Sequence, residues 1–274
     1  LDAGVAEGRR DLIERGNSWN IHGQRLGRDG LVPHEPANVE EDCGPISLLH
    51  TVSGVHWVAA RYDIALARDP AQSVHRFLAV DDPLFTNCDV TLGQGSLLIG
   101  CTELLRHGLQ GESAAAVRAR ASILCSRVTQ ALELSAATEW SVPFYFGFAH
   151  GVAGMAYALL RHADVTRTGV HPVVAETCEF LTRIGMVQKQ ARRTPLHAGT
   201  DESWLGWCHG SAGYVHFWLA AWSHFEDDRY LLLAQQAGLH TGSAPTPSTT
   251  LCCGTAGQVY ALASLFRATG SEMW

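Results

Sequence analysis

One phrase recurs along this chain and limits what it can fold into: a short turn of small residues carrying glycine, then a run of a dozen mostly apolar residues. It reads "HGVAGMAYALLRH" at 150–162, "HGSAGYVHFWLAA" at 209–221 and "CGTAGQVYALASL" at 253–265. "HTVSGVHWVAARY" at 50–62 matches in the same register. "LGQGSLLIGCTEL" at 92–104 matches more loosely, in a register ambiguous by two residues. Five copies between positions 50 and 253 recur about every fifty residues, a period that marks repeated supersecondary units.

The apolar runs are long enough for helices buried on most sides. Between them, "GESAAAVRARASILCSRVTQALELSAA" (111–137) and "HPVVAETCEFLTRIGMVQ" (171–188) carry apolar residues at helical spacing with a polar face. The unit is therefore an inner apolar helix and an outer amphipathic one. β-alternation is scarce, so the expected fold class is all-α. Such pairs stack into an open solenoid or close into a ring. Glycine at the crowded first turn of each inner helix favours the ring, an α/α toroid, because neighbouring backbones must approach closely there. The stretches 191–204 and 238–250, with Pro, Gly and Ser/Thr, read as surface loops at one rim. No linker composition interrupts the chain, so residues 1–274 are expected to form one domain, with a poorly patterned segment at 1–40.

Composition removes several functional classes. The net charge is −7, and Lys and Arg form no basic stripe with interleaved aromatics, so nucleic acid is not an expected partner. No run of eighteen apolar residues occurs, and "LDAGVAEGRRDLIERG" lacks an apolar signal core, so neither a membrane span nor a secretory signal is expected. Eight cysteines in 274 residues do not suggest a disulfide scaffold. The expected compartment is a reducing cytoplasm, where thiols are available to metal.

The repeat places particular side chains in equivalent positions. Cys208 of "GWCHG" and Cys252 of "LCCG" share one slot, and Cys253 falls in the slot of His150 and His209. If every inner helix starts at the same rim, three thiols from two adjacent units meet at helix N-termini, where the helix dipole favours thiolates. Soft sulfur ligands at tetrahedral spacing suit Zn²⁺, and three ligands leave its fourth position open, as in catalytic zinc sites. The spacing matches no standard zinc finger, and unrelated buried cysteines with a vicinal pair, reduced or disulfide-bonded, fit it as well.

Taken in order, "GFAHGVAG", "GWCHGSAG" and "LCCGTAG" resemble the motifs of the lanthionine synthetase C-like (LanC) family, over a stretch from about residue 44 to residue 268. The resemblance implies an α/α toroid around a central zinc. It also implies lanthionine-forming cyclase activity: a peptide cysteine thiol adds to dehydroalanine or dehydrobutyrine, closing thioether rings in lanthipeptide biosynthesis. Carried over by motif, Cys208, Cys252 and Cys253 correspond to the zinc ligands, and His150 to the active-site histidine. Asp89 of "DVTLG" resembles an active-site aspartate, and a helix N-cap role reads equally from its position. The implied partners are a dehydrated precursor peptide and a dehydratase or kinase/lyase enzyme, separate or fused within a larger lanthipeptide synthetase.

Four departures stand out. The third ligand slot, commonly His, is Cys253; the residue after the first ligand, often Tyr, is His209; an arginine sometimes found four residues before that ligand is replaced by Trp204. Five motif copies stand where the full family ring has seven, so a shortened or incomplete ring is expected. An imidazole near neutral pH suits general acid/base chemistry at the enolate that thiol addition leaves, which assigns His150, with His209 as a second acid/base or a fourth zinc ligand. Trp204 and Trp207 read as packing or as peptide-binding residues. Cys101, Cys125 and Cys178 read as helical packing residues, and Cys43 and Cys88 as loop residues without a ligand partner. Two other functions fit the same residues: intermolecular addition of a small thiol to dehydroamino acids, and a non-catalytic scaffold that binds a peptide or enzyme with zinc as a structural element.

Overall fold

The computed structural model describes residues 46–80, 86–141 and 145–274; the segment 1–40 and Cys43 lie outside the described residues. The described residues fall into nine α-helices and one two-stranded hairpin. The helices are α1 (Val52–Ala65), α2 (Ala71–Ala79), α3 (Gln94–Arg106), α4 (Gly111–Ala137), α5 (Val152–Thr166), α6 (Pro172–Ile184), α7 (Ser211–Phe225), α8 (Asp228–Thr241) and α9 (Thr255–Thr269). Strands β1 (Met186–Gln188) and β2 (Ala191–Arg193) pair antiparallel between α6 and α7. Two compact units divide the chain at Cys125/Ser126, inside the continuous helix α4.

The five motif copies become α1, α3, α5, α7 and α9, each beginning two residues after the aligned motif position. The loose copy at 92–104 obeys the same rule, which settles its register. The N-cap residue is Gly in α3, α5, α7 and α9, in extended conformation and without a side-chain cap. The orphan N–H groups of the first turn are satisfied by the chain just upstream. Gln94, Ala153, Ser211 and Thr255 each donate to the carbonyl seven residues earlier, at Asn87, Phe146, Trp204 and Ser248 respectively. These four inner helices thus begin from a backbone-closed turn. Outer helices use ordinary caps: the Asp227 carboxylate accepts from the Arg229 N–H at the start of α8, and His171 with Pro172 opens α6.

In the unit Ser126–Trp274, α7 lies between α5 and α9 and packs against the outer helix α8. Its buried side chains include Tyr214, Phe217 and Trp218, so the core runs along this helix. The α6 helix stops at Ile184, short of the 188 expected from its pattern, because Met186–Gln188 leaves the helix to pair with Ala191–Arg193. The stretch 191–204 is therefore part hairpin, and residues 238–241, read as loop, complete α8. Gly238 belongs inside that helix because a Cβ there would collide with Leu265 of α9. In the unit Leu1–Cys125, α1 packs against α2 and α3. No helix among the described residues is long and apolar enough to cross a membrane.

Candidate metal centre

The repeat equivalence seen in the sequence is a physical ladder. The Ala149 N–H donates to the Cys208 carbonyl at 2.6 Å, and the Cys208 N–H donates to the Cys252 carbonyl at 3.1 Å. Ala149, Cys208 and Cys252 hold the same slot in three consecutive motifs, so each turn hydrogen-bonds to its counterpart one repeat on. Glycine makes this spacing feasible. A Cβ on Gly147 would stand 2.6 Å from the His209 Cα, and one on Gly206 would stand 3.0 Å from the Cys253 Cα. The aromatic residue in each turn covers the next helix: the Phe148 side chain lies over Gly213, and Trp207 over Gly257.

This ladder brings Cys208, Cys252 and Cys253 together, with all three sulfurs within 4.8 Å of one another. The Sγ atoms of Cys208 and Cys253 are 3.3 Å apart, and those of Cys253 and Cys252 3.4 Å. Zn–S bonds of about 2.3 Å set tetrahedral sulfurs about 3.8 Å apart, so an opening of a few tenths of an ångström fits the set to zinc. Cys208 is buried, while Cys252 and Cys253 are exposed, which gives the cluster one solvent-facing side. Burial, and then the neighbouring Cys253 and Cys252, push the Cys208 thiol well above its ordinary pKa; burial raises Cys252 too. Cys208 and Cys252 thus favour their protonated forms, and a cation bound by them must displace those protons.

Among the described residues the group with metal-ligand spacing is Cys208, Cys252 and Cys253. The histidine of the Cys208 turn sits among aromatic rings. The His209 ring lies 5.3 Å from the His150 ring and 4.5 Å from that of Tyr145, with Trp204 edge-on at 5.6 Å. Tyr145 and His197 are neighbours that sequence reasoning missed. An isolated β-bridge pairs them, and the Phe146 N–H donates to the Leu196 carbonyl at 3.0 Å. No motif spacing signals that pairing. Trp204 is 41% exposed, and its indole N–H donates to the Glu202 carboxylate at 2.7 Å.

Asp89 lies in the unit Leu1–Cys125, apart in sequence from the cluster. Its Oδ1 accepts from the backbone N–H groups of Thr91, Leu92 and Gly93, and its Oδ2 from the Asn87 amide. That is a turn-closing role at the entrance to α3. The remaining described cysteines are packing residues. Burial pushes Cys101 and Cys178 up to about 12 and Cys125 to about 11, values at which a thiol is inert.

The model of the family described as lanthionine synthetase C-like protein matches residues 66–274. The chain belongs to that family. A curated relative from Danio rerio, named glutathione S-transferase LANCL1, is 28% identical over 138 residues, covering 48% of this chain and 33% of that protein. The chain thus matches about a third of the length of that relative. Among solved structures, nisin cyclase superposes with a TM-score of 0.56 at 9% identity, covering 96% of this chain and 84% of the cyclase. The fold of this family member is accordingly all-α, of the α/α-toroid class expected from its repeats.

Proposed function

We propose that this LanC-like protein is a zinc-dependent cyclase that forms lanthionine or methyllanthionine by adding peptide cysteine thiols to dehydroalanine or dehydrobutyrine. The observation that carries the reading is the three-sulfur cluster with one open side, beside two imidazoles. Cys208, Cys252 and Cys253 would hold the zinc, which supplies an electrophilic centre that favours the thiolate of an incoming thiol. His150 and His209, 5.3 Å apart, would then handle protons: one takes the proton the substrate thiol loses, and one returns a proton to Cα of the enolate. The balance closes on the substrate, since an S–H and a C=C become a C–S and a C–H bond. Asp89, resembling an active-site aspartate, is a weaker candidate for the same chemistry, given its turn-closing bonds. The substrate would be a dehydrated precursor peptide supplied by a dehydrating enzyme, in a compartment reducing enough to keep the cluster as thiols, such as the cytoplasm.

The relative named a glutathione S-transferase favours a second reading, in which the incoming thiol is a free small molecule such as glutathione. One experiment separates the readings. Zinc per chain is measured by elemental analysis for the wild type and Cys208→Ala, and each is then given a dehydrated peptide with or without its own cysteine, with and without glutathione. About one zinc per chain, lost in the variant, with ring closure independent of glutathione, supports the cyclase. Adduct formation only with glutathione supports the second reading. No zinc after reconstitution under reducing conditions overturns both and leaves a peptide- or enzyme-binding scaffold.

A further inference from the structure

A buried cation lies in the hairpin, outside the metal centre. Arg192 of β2 is 4% exposed, and among the described residues no carboxylate pairs with it. Its guanidinium instead donates to the carbonyls of Leu181, at 3.0 Å, and Thr182. These are carbonyls of the last turn of α6, where the helix dipole places negative charge. Gly185, which follows the helix, leaves room for this arrangement, because a Cβ there would overlap the guanidinium. The hairpin is thus seated by a charged plug on the end of α6.

What leaves the plug matters more. Directly after Arg192 the chain runs as an arm through residues 194–204 to the metal centre. Arg193 Nε donates to the Ser203 hydroxyl at 3.0 Å, tying the two ends of the arm together. The Leu196 N–H donates to the Glu202 carbonyl at 2.9 Å, closing the loop between them. Leu196 and His197 pair with Phe146 and Tyr145, and Trp204 meets the His209 ring. A buried side chain at one end of the arm and two rings of the centre at the other are connected by continuous backbone.

We propose that Arg192 is a positioning residue: by locking the hairpin to the end of α6, it holds the 194–204 arm so that Trp204 presents its exposed face to the substrate peptide beside His209. The substrate role rests on the cyclase reading above; the mechanical coupling does not. Arg192 touches neither the sulfurs nor the substrate and acts through Trp204. Both carbonyls are reached from the one terminal nitrogen, Nη2; lysine keeps the charge but, as a shorter side chain with a strongly hydrated ammonium, reproduces the bonds in part.

The test uses Arg192→Met, Arg192→Lys and Gly185→Ala, the last crowding the guanidinium while leaving Arg192 in place. Three readouts are taken: zinc per chain, hydrogen exchange at the Phe146 and Leu196 amides, and KM against kcat for a dehydrated peptide. Lost charge-assisted hydrogen bonds of this kind correspond to roughly tenfold or more in an equilibrium. The expected result for Arg192→Met and Gly185→Ala is about tenfold faster exchange at both amides, zinc retained, and KM raised about tenfold with kcat little changed. Arg192→Lys should recover part of both effects. Unchanged exchange at the two amides in both variants overturns the proposal, as does loss of protection spread evenly through α5 and α7. If the wild type proves to be no cyclase, the exchange and zinc measurements still decide the coupling.

Discussion

Acid should loosen the inner helices through His216. Its ring lies on α7, 4.8 Å from the Tyr260 ring of α9 and 6.1 Å from Phe148 in the turn before α5, and its Nε2 is buried without a hydrogen-bond partner among the described residues. Burial, and secondly Arg267, draw its pKa from 6.5 down to about 4, so the folded protein keeps the ring neutral. The unfolded chain takes up a proton near pH 6.5 and the folded chain only near pH 4. Stability from this residue is therefore complete above pH 6.5, falls as pH drops toward 4, and falls no further below that. At about 1.4 kcal/mol for each pH unit separating the two values, the loss is about 2 kcal/mol by pH 5 and about 3 kcal/mol across the window. His162 and His240, also lowered by burial, add to the slope in the same direction. Urea unfolding of chelator-treated, reduced protein between pH 7 and pH 4.5 measures this without interference from metal release. His216→Leu should flatten the curve by about 2 kcal/mol at pH 5 relative to pH 7. Parallel curves for variant and wild type would refute the reasoning.

Two further perturbations address the metal centre. Gly206→Ala would place a methyl group 3.0 Å from the Cys253 Cα and 3.1 Å from the Cys252 carbonyl oxygen, forcing apart the two turns that bring the sulfurs together. It should cost about 1–3 kcal/mol and weaken zinc binding in equilibrium dialysis while circular dichroism stays helical; wild-type affinity would contradict the ladder. On the cyclase reading, three thiolates with Zn²⁺ would give a site charge of 2 − 3 = −1, which would hold a substrate thiolate loosely and keep it nucleophilic. Cys253→His should therefore slow ring closure at saturating zinc, and a faster variant in a thiol-consumption assay would remove the argument.

The parts of this molecule legible in the sequence are those in which side-chain pattern and backbone geometry coincide. The motif glycines mark turns that touch their neighbours, so aligning the phrases located five helix starts and brought Cys208, Cys252 and Cys253 into one cluster. The hairpin was not legible, because its strands have three residues each and its turn is Lys189-Gln190 at φ 50° and 70°, without the Asn-Gly or Asp-Gly that advertises such a turn. Gly238 misled for the opposite reason: its lack of a side chain serves helix packing, not a loop. Tyr145 and His197 reach the centre through an isolated bridge between segments about fifty residues apart, and long-range pairing of two residues leaves no local trace. Arg192 reads as one more charged loop residue until the carbonyls of α6 are seen to receive it.

The ladder also predicts what the sulfurs do not do. In small zinc domains the metal supplies the folding free energy, and the apo chain is unfolded. Here the turns are held by backbone hydrogen bonds from Ala149 to Cys208 and from Trp207 and Cys208 to Cys252, and by glycine contacts; no cysteine side chain takes part in these links. The helices they launch bury Phe217, Trp218, Leu160 and Leu265 in a core independent of the metal. Replacing Cys208, Cys252 and Cys253 together with serine should therefore abolish zinc binding while helical content stays native. The variant's thermal midpoint should match that of the chelated wild type, because bound metal adds only its mass-action contribution to a fold that already exists. A variant without cooperative unfolding, beside a chelated wild type that still unfolds cooperatively, would show that the thiols carry packing energy of their own. The open side of the cluster would then need a structural explanation instead of a catalytic one.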